Sequence, residues 1–130
     1  MSADYDLPGS VTFSILTPST SITSNTNTVN FDLSPYQGIV GVVLNAGANT
    51  AGDANAKLTA SIYDSADNST YAAISGATFT NVTNANSFQV YSLDTRVARR
   101  YMRVVTTVLG VNTAYPVGMS IVGQKQYNGG

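Results

Sequence analysis

Along most of this chain, short segments in which every second residue is apolar are separated by polar turns, at intervals of roughly 8 to 12 residues. A period of two predicts β-strands, because successive side chains on a strand point to opposite faces. The 3.6-residue period of an amphipathic helix never persists long enough to predict a helix. The pattern therefore predicts an all-β protein, an antiparallel, jelly-roll-like β-sandwich of about eight strands.

The strongest strand signal begins at Tyr101, where β-branched, aromatic and long side chains follow one another without Gly or Pro. Alternation there places Met102, Val104 and Thr106 on one face and Arg103 on the other. The other predicted strands cover residues 11–16, 28–33, 39–44, 57–63, 70–74, 77–82, 88–93 and 115–122. The inward-facing residues that we predict in them include Val29, Phe31, Leu33, Leu58, Ala60, Ile62, Phe88 and Val90.

Two segments are less regular. Residues 39–44 are apolar on both faces apart from Gly41, which predicts a central strand buried on both sides. Gly41 itself indicates a bulge or the close approach of a neighbour. Residues 18–27 are rich in Ser, Thr and Asn, which fits either a polar loop or an edge strand around Ile22.

The chain divides into an extended N-terminal arm at 1–10, a β-sandwich domain at 11–123 and a C-terminal tail at 124–130. Pro8-Gly9 interrupts any regular element in the arm, whose apolar anchors are Tyr5 and Leu7. Residues 1–10 fit two interpretations equally well, an arm that reaches another subunit and an extended segment that leads into the first strand. Our prediction is that Tyr5 and Leu7 in the arm, or Tyr127 in the tail, contact a neighbouring subunit.

Four of the six basic residues fall between Arg96 and Arg103. Arg suits paired or interfacial positions, because its planar guanidinium can bond two oxygens at once. We expect these arginines to pair with Asp94, Asp64 or Asp67, or with a neighbouring chain. Binding of nucleic acid is disfavoured, because the net charge is −1 and four cations release few counterions. The predicted interface arginines are Arg96, Arg99, Arg100 and Arg103.

The residue types present argue against most enzymes. The chain has no His and no Cys, so it lacks the usual catalytic triads, thiolate metal sites and disulfides. Asp64 and Asp67 flank a predicted turn, and we interpret them as turn caps rather than as a glycosidase pair or a calcium site. We expect no catalytic residue, no metal and no cofactor. No apolar run approaches the roughly 20 residues that span a membrane, and the acidic start is unlike a secretion signal.

Two motifs together resemble a known family. Residues Tyr63 to Ile74 read Tyr-Asp-Ser-Ala-Asp-Asn-Ser-Thr-Tyr-Ala-Ala-Ile, and Arg99 to Val104 read Arg-Arg-Tyr-Met-Arg-Val. The combination resembles the small head-decoration, or cement, proteins of tailed bacteriophages, over roughly Leu58 to Val122. The resemblance implies a jelly-roll sandwich, commonly a homotrimer, that clamps adjacent major capsid protein subunits on the outer surface of the virion. It implies synthesis in the host cytoplasm and no catalysis.

Two other functions stay open at this point. A similar pair of motifs occurs in discoidin-like carbohydrate-binding sandwiches, so a carbohydrate-binding module of a phage tail or surface protein is the alternative. A tail or neck component of the virion is a third. A direct contact with nucleic acid or membrane is not expected.

Overall fold

A computed structural model describes residues 11–49, 55–110 and 114–125, and these ranges contain only β-strands and their connections. The strands are β1 (Val11–Ile22), β2 (Thr26–Asn27), β3 (Phe31–Asp32), β4 (Tyr36–Ala46), β5 (Lys57–Ser65), β6 (Ala72–Thr78), β7 (Ser87–Asp94), β8 (Tyr101–Leu109) and β9 (Tyr115–Lys125). The short strands β2 and β3 both pair with β8, so they occupy one strand position. The predicted all-β sandwich of about eight strands is confirmed.

The strands form two antiparallel sheets. The four-stranded sheet has the order β1-β9-β4-β7, and the five-stranded sheet has the order β2-β8-β5-β6, with β3 also on β8. The chain therefore changes sheet at every connection except β2 to β3 and β5 to β6. Such alternation between two packed sheets is the strand order of a jelly roll.

The core lies between the two sheets. The facing side chains are Val40, Val42, Leu44, Met119 and Ile121 from the four-stranded sheet, and Leu58, Ala60, Ile62, Met102 and Val104 from the five-stranded sheet. All are at most 2% exposed, so apolar burial here is the main source of stability. The predicted faces of β8 are confirmed, since Met102, Val104 and Thr106 are buried and Arg103 lies on the opposite face.

The prediction that residues 39–44 are buried on both sides is wrong. Val40, Val42 and Leu44 point into the core, but Ile39 is 62% exposed on the outer face of the sheet. An apolar pattern on both faces does not distinguish a doubly covered strand from one with an apolar outer face. The irregularity predicted at Gly41 lies just before it, because the pairing with β9 shifts register between Gln37 and Gly41, and Gly41 itself pairs with Val122 and Ser92.

The prediction that Phe88, Val90 and Val29 point into the core is also wrong. Phe88 and Val90 are 69% and 56% exposed, whereas Leu93 is buried. The polar Gln89 takes an inward position because its amide exchanges two hydrogen bonds with the Thr80 backbone, of 2.7 and 2.8 Å. Val29 is 57% exposed, since residues 28–30 lie outside any strand.

Two further segments differ from the predicted bounds. β1 continues to Ile22, which is buried, so the edge-strand alternative for this region is confirmed. The two strands expected on either side of Gly76 are replaced by one strand, β6, which passes through Gly76 at a φ of 79° and ends at Thr78, so residues 79–82 lie outside it. Glycine adopts this positive φ without the steric cost that other residues meet.

Candidate interaction surface

The loop between β7 and β8, residues 95–100, carries three of the four predicted interface arginines; we call it the arginine segment. Backbone hydrogen bonds fix the conformation of its first residues. The backbone N–H and hydroxyl of Thr95 both donate to the carbonyl of Gly38, at 2.9 and 2.7 Å. The N–H groups of Val97 and Ala98 both donate to the carbonyl of Asp94, at 3.0 Å. These bonds hold the arginine segment against the start of β4.

Arg99 forms the most extensive ion pair. Its Nε and Nη2 donate to Asp64 Oδ1 at 3.0 and 2.8 Å, and its backbone N–H donates to Oδ2 at 3.0 Å. Nη2 also donates to the Asp64 carbonyl at 2.9 Å. The Asp64 side chain is 11% exposed. The pair therefore ties the arginine segment to the end of β5, and the interpretation of Asp64 as a turn cap is wrong.

The other two pairs are closer to the surface. Arg100 binds Asp32 through Nε and Nη2, at 3.2 and 3.1 Å, and Arg96 binds Asp94 in the same two-point manner, at 3.1 Å for both bonds. The expected pairing of arginines with Asp94 and Asp64 is confirmed. Asp32 as the partner of Arg100 was missed, and no local signal marks it, because the two residues are 68 positions apart.

Hydrogen bonds lower the pKa of three carboxylates, Asp32, Asp94 and Asp67. The side-chain hydrogen bond from Arg100 lowers the pKa of Asp32 to about 2. Hydrogen bonds from the Arg96 side chain and backbone lower the pKa of Asp94. In the turn after β5, the backbone N–H groups of Thr70 and Ser69, with the Ser65 hydroxyl, lower the pKa of Asp67 to about 2. Asp67 is thus the turn cap that the sequence predicted.

Arg103 differs from the other three arginines. Its guanidinium carbon lies 4.2 Å from the centroid of the Tyr71 ring, a cation–π contact. It forms no ion pair with any residue in the described ranges, and its Nε is buried without a hydrogen-bond partner there. The intrachain ion pair that we predicted for Arg103 is therefore not found in this part of the chain. An inter-chain contact of Arg103 stays a prediction.

Three tyrosines surround Arg103 on the outer face of the five-stranded sheet. Tyr63 is its direct cross-strand neighbour on β5, and Tyr101 lies two positions before it on the same face of β8. Tyr71 covers the guanidinium, and burial raises the pKa of its hydroxyl. All four side chains are half-buried. We call Tyr63, Tyr71, Tyr101 and Arg103 the Tyr–Arg cluster.

A cleft of about 400 Å³ lies beside the arginine segment. Its lining includes the polar side chains of Ser34, Gln37 and Thr95 as well as the three paired arginines. Because each of these arginines already binds a carboxylate of the same chain, the cleft has little unbalanced positive charge. Leu33, Tyr36 and Ala98 also line it, so it is a recess of mixed character rather than a polyanion site.

The outer face of the four-stranded sheet carries a group of exposed apolar side chains, which the strand pattern did not predict. Register places Ile15, Ser120, Val43 and Val90 in one row across all four strands. Ile39, Val122 and Phe88 lie on the same face. We call these outward side chains the apolar face; Ile15, Ile39, Phe88 and Val90 in it are 56% to 69% exposed. The sequence did carry a signal for this face, because both odd and even positions of residues 39–44 are apolar.

The remaining predicted interface residues cannot be placed. Tyr5, Leu7 and Tyr127, with the arm and the end of the tail, lie outside the described residues. Within the described ranges, no three Asp, Glu, His or Cys side chains are grouped so that they could hold a metal ion. The same ranges contain no helix long and apolar enough to cross a membrane.

Comparison with protein families and with curated proteins gives no match. Among solved structures, the chain is similar to a chain of the cowpea mosaic virus top component, a naturally occurring empty particle. The identity is 12%, the match covers 98% of this chain and 91% of that chain, and the TM-score is 0.44. The fold assignment rests on the strand order and register described above.

Proposed function

We propose that this chain is a structural virion protein, a cement or decoration protein on the outer surface of a phage head that bridges subunits of the major capsid protein. The observation that carries the proposal is the apolar face. Large contiguous apolar surfaces on a folded domain are typical of protein–protein contacts. The outward positions of β4, β7 and β9 from Ile39 to Asn45, Phe88 to Ser92 and Gly118 to Val122 carry no charged side chain. The face ends at Asp94, which lies opposite Ile39 and pairs with Arg96.

Two further features support this proposal. The jelly-roll strand order is common in viral capsid domains, although lectin domains share it, so the fold alone does not decide the function. The arginines of the arginine segment form ion pairs within the chain, with Asp32, Asp64 and Asp94. Because these charges are neutralised, the surface has no strong positive electrostatic potential to attract nucleic acid. Its exposed apolar side chains suit a protein partner better.

A homotrimer would strengthen such binding. When three linked protomers hold adjacent capsid subunits, the second and third contacts form at a high effective concentration. Tyr5, Leu7 and Tyr127 are proposed as crossing points to neighbouring subunits. Removal of residues 1–8 is then expected to weaken decoration and to leave the melting temperature of the sandwich unchanged. The role is structural, so no catalytic activity is assigned.

The test is co-sedimentation of the purified protein with phage heads, with Val90→Asp as the disruptive variant. Val90 is 56% exposed, so its substitution leaves the core intact, and we expect at least a tenfold loss of affinity for heads. Leu109→Asp is the matched control, because Leu109 is 52% exposed at the end of β8, in the other sheet. Equal binding by Val90→Asp and the unsubstituted chain would contradict the proposed contact face.

A carbohydrate-binding module is the second candidate, and the cleft beside the arginine segment, with its mixed polar and apolar lining, favours it. Ser34, Gln37 and Thr95 supply hydrogen-bonding groups of the kind that sugar hydroxyls require. A glycan array followed by titration separates the two functions. Saturable sugar binding that Gln37→Ala abolishes, without affinity for heads, would replace the cement assignment.

A further inference from the structure

The charges of this chain do not balance within the described residues. Arg96, Arg99 and Arg100 each bind one carboxylate, while Arg103 binds none there. Four of the seven aspartates are accounted for, three in ion pairs and Asp67 in its turn. The other three, Asp4, Asp6 and Asp53, lie outside the described residues.

The Tyr–Arg cluster has the composition of a binding surface. Tyr and Arg are the residue types most enriched where partners contribute most binding energy, because they combine large area with directed hydrogen bonds. A guanidinium held on an aromatic ring keeps its planar edge available for a carboxylate. Tyr71 fixes Arg103 in this way. Because Arg103 Nε is buried, a carboxylate from another chain would bind through the two Nη groups.

The N-terminal sequence Asp4-Tyr5-Asp6 has the complementary composition. In an extended segment, alternate side chains point the same way, so two carboxylates would face one guanidinium and Tyr5 would point to the other side. Each extended residue spans roughly 3.3 to 3.6 Å, which places Asp6 within about 18 Å of Val11 and Asp4 within about 25 Å.

We infer that residues 1–10 of a second copy of this chain dock on the Tyr–Arg cluster, where the carboxylates of Asp4 and Asp6 bind the Arg103 guanidinium. This inference rests on the self-association included in the proposed function and names its contact.

The position of β1 relative to the Tyr–Arg cluster follows from the strand register. β1 begins at Val11 opposite Gln124, and Gln124 pairs with Gln37 near the arginine segment. Arg103 lies near the start of β8, which follows the arginine segment. Val11, the first residue of β1, and the Tyr–Arg cluster are thus at the same end of the fold. A contact between unlike surfaces of two copies is heterologous, and it generates a ring if the rotation between the copies closes.

The first experiment measures self-association of the full chain by sedimentation velocity over a range of concentrations. We expect Asp4→Asn/Asp6→Asn to raise the dissociation constant of the complex at least tenfold. Because both positions precede Val11, where β1 begins, the melting temperature of the dilute protein should not change. Asp53→Asn is the matched control for loss of an acidic side chain and should associate normally.

The second experiment is a charge exchange. Arg103→Glu alone should weaken association, while Arg103→Glu combined with Asp4→Lys/Asp6→Lys should restore it. Lys57→Gln, which removes a cation from the far end of the same sheet, should have no effect. Circular dichroism checks that each variant is folded.

Three results would overturn the inference. They are unchanged association of Asp4→Asn/Asp6→Asn, failure of the folded charge-exchange variant to recover, and charge coupling in a chain that stays monomeric at every concentration. The third result would mean that residues 1–10 bind the Tyr–Arg cluster of their own chain. Head decoration is measured separately, so the cement function can survive the failure of this contact, and the contact can survive the failure of the cement function.

Discussion

Asp64 Oδ1 and Arg99 Nη2 lie 2.8 Å apart, although 35 positions separate the two residues in the sequence. The same carboxylate also accepts the backbone N–H of Arg99, so one side chain fixes both the position and the direction of the arginine segment. Because the Asp64 side chain is only 11% exposed, little water is present to replace these bonds.

Asp64→Asn should therefore destabilise the protein. An amide keeps the shape of the carboxylate but lacks its charge, and it cannot accept at both oxygen positions. We expect a fall in melting temperature of roughly 5 °C or more by differential scanning calorimetry. Asp94→Asn is the matched control, since its partner Arg96 is 79% exposed and surface pairs contribute little. Equal shifts in the two variants would show that the Asp64 pair has no special structural role.

Tyr115→Phe should be neutral or stabilising. Tyr115 is fully buried, and its hydroxyl has no hydrogen-bond partner among the described residues, so removal of the oxygen relieves a desolvation cost. Tyr36→Phe is the matched control, because the Tyr36 hydroxyl lies 3.2 Å from Ser14 Oγ, and its loss should cost about 1 kcal/mol. Chemical denaturation of both variants measures the difference, and clear destabilisation by Tyr115→Phe would reveal a partner for its hydroxyl.

Stability should fall as the pH drops from about 4 to 2. Asp32 and Asp67 have folded-state pKa values of about 2, below the ordinary value of 3.8. A lowered pKa means that the unfolded chain binds protons first, so the stabilisation is complete above the unfolded pKa and is lost as pH falls through the folded one. Melting temperatures measured across this range should decline less steeply for Asp32→Asn. A pH profile unchanged by this substitution would contradict the role of the Arg100 pair.

Gly123→Ala should destabilise the sandwich by roughly 1 to 3 kcal/mol. A Cβ at this position would lie 2.5 Å from Val40 Cγ1 and 2.8 Å from Tyr36 Cδ2, and both of these side chains are buried. At Gly41 the nearest atom is Val90 Cγ1, at 3.3 Å on the exposed apolar face, so Gly41→Ala should have a smaller effect. Equal losses of unfolding free energy in the two variants would contradict this difference in packing.

Local pattern was sufficient for much of the fold. The period of two predicted the strands and the sandwich, and in β8 it separated the buried Met102 and Val104 from the outward Arg103. Turn chemistry identified Asp67 as a cap, because an Asp side chain bonds backbone N–H groups two and three residues ahead. These features depend on neighbours in sequence, so the sequence determined them by itself.

The tertiary structure decided which faces and partners those elements received. Val90 and Phe88 became part of the apolar face, and Gln89 turned inward, because the backbone of Thr80 was there to satisfy its amide. Arg100 pairs with Asp32 rather than with a carboxylate nearer in sequence, because β3 pairs with the start of β8. A period of two specifies that two faces exist but not which one the opposite sheet covers. That choice, and the partner of each charge, depend on the strand order, which brings distant residues together.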